Sequence, residues 1–132
     1  NPKVDDEATI IVTYPNSQTI IEASWNWPIG RKDMEIYGMT GAIFSDNAKS
    51  LRVRMAKGYD GFDEEKFELT SRKLPFDDPF SVLLAVVRGK VTLSPFDPYS
   101  LGNNMIVMEI LQAAKESATS GKTVILLERE NE

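Results

Sequence analysis

Neither cysteine nor histidine occurs in the 132 residues. Without cysteine there is no disulfide, no thiolate nucleophile and no thiolate-ligated metal or cluster. Without histidine the commonest general base and transition-metal ligand is gone. A Ser-His-Asp triad cannot be assembled within the chain. No apolar run approaches the roughly 20 residues that cross a bilayer. Positive charge is short as well: 15 Lys and Arg stand against 20 Asp and Glu, for a net charge of −5. Nucleic-acid binding needs a basic footprint, and Arg31-Lys32 and Arg52/Arg54 are too small to supply one. The opening Asn1-Pro2-Lys3-Val4-Asp5-Asp6-Glu7 is polar and acidic and lacks an initiator Met. It resembles neither a signal peptide nor a membrane anchor, and a segment cut from a longer product is expected. Absent cysteine is compatible with any compartment, the cytoplasm being the default.

What is present first reads as strands. Residues 7–14 alternate Ala8, Ile10, Val12 and Tyr14 against Thr9, Ile11 and Thr13, rich in β-branched side chains. Pro15-Asn16-Ser17 predicts a hairpin turn. The return strand is expected over 18–27, with Thr19, Ile21, Ala23, Trp25 and Trp27 on one face and Ile20, Glu22, Ser24 and Asn26 on the other, ending at Pro28. Further strands are predicted at 33–37, 42–46 and 50–56. The last alternates Leu51, Val53 and Met55 with Arg52, Arg54 and Ala56, which implies one polar-partnered face. Short connections favour an antiparallel meander. Residues 58–65 read as an acidic loop, and 66–70 as one more strand.

The period then changes. Asp78 can cap a helix whose first position is Pro79. Phe80, Leu83, Leu84 and Val87 form its apolar face, and Gly89 supplies a left-handed stop. Ser100 caps a long helix to about Ser120, with Val107, Leu111, Ala114 and Ala118 in one stripe and Glu109, Gln112, Glu116 and Thr119 on the polar side. A last strand at 122–127 and a charged tail at 128–132 complete a single α+β domain over 1–132. It is an open, mainly antiparallel sheet with helices packed on one face.

Few stretches carry a motif with defined chemistry. Gly58-Tyr59-Asp60-Gly61 lacks the third glycine of a dinucleotide loop and does not sit between strand and helix. The acids Asp60, Asp63, Glu64 and Glu65 do not follow calcium-loop spacing. Asp77-Asp78 is explained by helix capping. Glu22 is either a buried acid or a group facing water or a polar ligand. The most unusual stretch runs from Ala23 to Asp33. Trp25 and Trp27 on one side, with Asn26, Arg31 and Lys32, could form a sugar-binding wall, since aromatic faces stack on sugar C–H groups while Asn and Arg donate hydrogen bonds. The alternative is that both Trp pack in a core or a subunit interface.

Thr13-Tyr14-Pro15-Asn16, Ala23-Ser24-Trp25-Asn26-Trp27-Pro28 and Arg31-Lys32-Asp33-Met34-Glu35-Ile36-Tyr37-Gly38 resemble the C-terminal domain of the glucose–fructose oxidoreductase / inositol dehydrogenase / MocA family. So does the ending Ser100-Leu101-Gly102-Asn103-Asn104, Val107-Met108-Glu109-Ile110-Leu111-Gln112-Ala113-Ala114-Lys115-Glu116-Ser117 and Ser120-Gly121-Lys122-Thr123-Val124. The resemblance spans nearly the whole chain, and its specificity lies in the order and spacing of the segments. It implies an open antiparallel sheet, one face of which packs against a partner subunit to give a homo-oligomer. It also implies hydride transfer between a sugar or polyol carbon and NAD or NADP held by an N-terminal Rossmann domain outside this chain. The family's Glu-Lys-Pro motif does not occur here, and no His follows, so no catalytic or cofactor-binding residue carries over. Gly102 stands where the family pattern has Glu. On this reading Trp25, Asn26, Trp27, Arg31 and Lys32 contribute the substrate wall, no metal is held, and the chain is inactive alone. The cofactor supplies the redox chemistry while the protein positions the substrate. The rival reading is a free-standing binding or dimerisation module with the same sheet.

Overall fold

A computed structural model describes residues 4–126. The chain divides into two compact units, Asn1–Ser71 and Arg72–Glu132. All strands among the described residues fall in the first unit and both α-helices in the second. The class is α+β, with open antiparallel sheets.

The strands form two sheets. β1 (Glu7–Tyr14) and β2 (Ser17–Ser24) make a two-stranded hairpin closed by Pro15 and Asn16. β3 (Met34–Tyr37), β4 (Gly41–Ser45), β5 (Ser50–Lys57) and β6 (Gly61–Glu68) follow in sheet order 3-4-5-6, every neighbour antiparallel. The expected meander is therefore correct in direction but divided, because the chain between Trp25 and Asp33 pairs with neither sheet.

Three boundaries differ from expectation. β2 stops at Ser24, three residues short of Trp27. The Ser24 hydroxyl accepts the Asn26 N–H at 3.0 Å, and such a local side-chain bond competes with ladder pairing. Residues 58–65 are not all loop: β6 begins at Gly61 and replaces the shorter strand expected at 66–70. Its acids pair with cations of β5, a cross-strand gain that overrides poor intrinsic strand preference. Residues 122–126 form no strand; the remainder of that segment and the tail lie outside the described residues.

Register sorts the larger sheet into two unlike faces, since paired residues share a face and neighbours along a strand alternate. Ile36, Ile43 and Val53 lie in one cross-strand row that ends in Glu65, with Met34, Ser45, Leu51 and Phe67 in the next. Apart from Ser45 this face is apolar over β3 to β5 and acquires acids only on β6. The opposite face carries the rows Glu35–Phe44–Arg52–Lys66 and Tyr37–Ala42–Arg54–Glu64. At the β4–β5 pair Gly41 admits close backbone approach: a Cβ there would run into the carbonyl oxygen of Arg54. Gly58 turns the chain between β5 and β6 with φ +71°, a conformation that suits glycine.

In the second unit α1 (Pro79–Val87) starts as expected. Asp78 accepts the N–H groups of Phe80 and Ser81 at 2.9 and 3.1 Å, and its second oxygen accepts the Ser81 hydroxyl. The capping keeps the Asp78 carboxyl below its ordinary range, the Ser81 bonds first among the causes. The buried side is not the expected one. Val82 and Ala85 are buried, while Phe80, Leu83, Leu84 and Val87 are exposed. Apart from Pro79 and Ser81 every residue of this helix is apolar, so it has no polar side to orient it. α2 (Leu101–Ser120) is capped by Ser100, which accepts the Asn103 N–H at 3.2 Å, and ends at Gly121 with φ +67°. Its half-buried side runs through Ile110, Ala113, Ala114 and Ser117, and Glu109, Gln112, Glu116 and Thr119 are exposed.

Candidate functional site

The five residues expected to form a wall leave β2 together and then separate. Trp25 donates its backbone N–H to Asp6 at 2.9 Å, but its side chain is 89% exposed. Asn26 reaches back to β1: its side-chain amide donates to Glu7 Oε1 at 3.2 Å, where the Ser24 hydroxyl also donates at 3.1 Å. Trp27 is half-buried and takes the Arg31 guanidinium over its ring at 5.0 Å from the centroid. Arg31 is fixed in turn by Asp33, to which it donates from Nε at 3.1 Å and from Nη2 at 2.7 Å. This bidentate pair, through its hydrogen bonds first, lowers the Asp33 pKa and raises that of Arg31.

Two shallow depressions flank the segment. One, of about 380 Å³, is lined by Gly30 to Asp33 and by Asp46, Asn47 and Ala48 of the β4–β5 turn. The other, of about 240 Å³, lies over the hairpin and includes Trp27, Glu7, Glu22 and Ser24. Arg31 and Lys32 thus line one hollow and Trp27 the other, with the Trp27–Arg31 stack between them. Neither hollow is lined by Trp25 or Asn26. Glu22 is exposed and borders the second hollow, so of its two expected roles the solvent-facing one is observed.

Around the first hollow Asp33 and Asp46 offer acceptors and Arg31 and Lys32 donors of the kind polyhydroxylated ligands use, while the open indole face of Trp25 lies outside it. Among the described residues no group of three or more Asp or Glu is arranged to hold a metal ion.

A second cluster, on the polar face of the β3–β6 sheet, was signalled in the sequence only as the alternation of Arg52 and Arg54. Arg52 donates to both oxygens of Asp46 at 2.6 Å, and Arg54 donates from Nε to Glu64 at 2.7 Å. Both guanidiniums lie 4.9 Å from the centre of the Phe44 ring, and Arg54 lies 4.5 Å from that of Phe62. Tyr37 meets Phe44 edge-on at 5.8 Å and donates its hydroxyl to Glu35 at 2.7 Å. The pairing holds the carboxyls of Asp46 and Glu64 below their ordinary values, and the bond to Glu35 raises the Tyr37 pKa. What sequence reading missed were the acids Asp46 and Glu64, because one sits in a turn and the other in a strand read as loop.

No family model, curated protein or solved structure matches this chain.

Proposed function

We propose that this chain is the substrate-side and oligomerisation portion of an NAD- or NADP-dependent oxidoreductase acting on a sugar or polyol. On this reading it follows a nucleotide-binding domain, as in the glucose–fructose oxidoreductase / inositol dehydrogenase / MocA family, and associates with a second copy through a sheet face. The observation that carries the reading is the Trp25–Asp33 segment. It leaves the hairpin with an open indole face and continues into a stacked, bidentate Trp27–Arg31–Asp33 array next to a hollow lined by Lys32 and Asp46. On this reading redox chemistry belongs to the cofactor, while this chain's residues position the substrate.

The test is the reading frame upstream of Asn1. Roughly 150–200 residues carrying a strand, a glycine-rich turn and a helix are expected there. The longer product should reduce NAD or NADP, followed by nicotinamide absorbance, with a member of a polyol and aldose panel. The present chain alone should show no heat of NAD or NADP binding in calorimetry. A frame opening just before Asn1, or stoichiometric nucleotide binding by this chain, overturns the proposal.

A further inference from the structure

We infer that the hollow between residues 30–33 and the β4–β5 turn is a carboxylate subsite centred on Lys32, so that the ligand it takes is a sugar acid rather than a neutral sugar. This names the substrate class for the reading above and rests on it.

Size separates the two hollows. The first, at about 380 Å³, falls within the range of small-molecule sites, and the second, at about 240 Å³, falls below it. The lining of the first runs from Gly30 to Asp33 and from Asp46 to Ala48. The subsite is therefore complete without a nucleotide-binding domain.

Charge then selects the ligand. Arg31 is matched by Asp33, and Asp46 by Arg52, each pair through two hydrogen bonds. Lys32 makes no hydrogen bond or ion pair among the described residues. The hollow thus offers one uncompensated cation, although the whole chain carries −5. One carboxylate balances that cation. A phosphate group, with a charge of about −1.5 to −2, would leave excess negative charge beside Asp33 and Asp46. The two acids are no metal site either. Both oxygens of each are engaged by a guanidinium, and among the described residues no third acid joins them.

Hydroxyl groups next to the carboxylate find partners as well. Each oxygen of Asp33 and Asp46 accepts one guanidinium bond and retains a lone pair, and Arg31 keeps Nη1 unused. Arg31 is already clamped by Asp33 and stacked on Trp27, so a ligand need not order it afresh.

Titration of the isotope-labelled full chain with sodium gluconate, followed by amide chemical shifts in nuclear magnetic resonance, tests this. Gluconate should shift the amides of residues 30–33 and 46–48 and saturate in the millimolar range. Sorbitol, with a hydroxymethyl group in place of the carboxylate, should bind at least about ten-fold more weakly at matched salt. K32A should reduce gluconate binding to the sorbitol level, and K32R should keep most of it. Equal binding of gluconate and sorbitol, or indifference to K32A, overturns the inference. Acetate binding as tightly as gluconate means an adventitious ion only and overturns the sugar acid. Inorganic phosphate that displaces gluconate more readily than acetate does overturns the choice of carboxylate. No shift at these amides overturns the subsite alone, because nicotinamide reduction by the longer product still decides the redox reading.

Discussion

Arg54 donates from Nε to Glu64 Oε2 at 2.7 Å across the β5–β6 pair, and its guanidinium lies 4.5 Å from the Phe62 ring on the same strand as that acid. One cation thus ties down both an acid and an aromatic of an edge strand whose sequence is otherwise a poor strand former. This contact explains why residues 61–65 are strand.

Acid should loosen this sheet. Glu64 and Asp46 have pKa values lowered from ordinary ones of 4.5 and 3.8 by hydrogen bonds to Arg54 and Arg52. A carboxyl lowered in the folded state contributes stability that is complete above its unfolded value and is lost as pH falls through the folded one. Thermal unfolding followed by circular dichroism should therefore show a Tm that is flat above about pH 5.5 and falls below about pH 4.5. Glu64→Gln should lower the plateau by a few degrees and make the acid decline shallower. An unchanged acid limb in that variant would assign the pH response to other groups.

Gly41 should not tolerate a side chain. Gly41→Ala places a Cβ against the Arg54 carbonyl and should cost about 1–3 kcal/mol in urea unfolding, by forcing β4 from β5. Gly30→Ala meets nothing within 4 Å and should lie within about 0.5 kcal/mol of wild type. Equal effects at the two positions would show that the close approach does not matter.

The ends of α2 should each carry measurable stability. Ser100→Ala removes the acceptor of the Asn103 N–H and should cost about 1 kcal/mol. Gly121→Ala forces a Cβ into left-handed backbone at φ +67° and should cost about 1 kcal/mol. Helical ellipticity against temperature reads both.

The two indoles should answer differently to a collisional quencher. Trp25 is 89% exposed, whereas Trp27 is half-buried under Arg31. Acrylamide quenching of wild type should be dominated by Trp25 and drop several-fold in Trp25→Phe. Arg31→Ala in that background should raise it again by uncovering the Trp27 ring.

Much of the fold was legible because it rests on local signals. Alternation with β-branched residues marked β1, and Leu51, Val53 and Met55 against Arg52 and Arg54 marked β5. Asp78-Pro79, Ser100 and Gly121 marked helix ends through bonds that span at most four residues. The candidate site was legible in part. The stretch from Trp25 to Lys32 announced itself by composition, but not that Arg31 stacks on Trp27 while Asn26 turns back to Glu7.

The order of β1 to β5 and of the two helices, the caps and the alternation of side chains along each of those strands were determined by the sequence alone, since propensity, capping and period two act within a few residues. Only the tertiary structure decided that β6 is a strand, that β2 ends at Ser24, and that Val82 rather than Leu83 is the buried side of α1. Those outcomes depend on partners distant in sequence or on which side of an all-apolar helix finds cover, and neither is encoded in a local pattern.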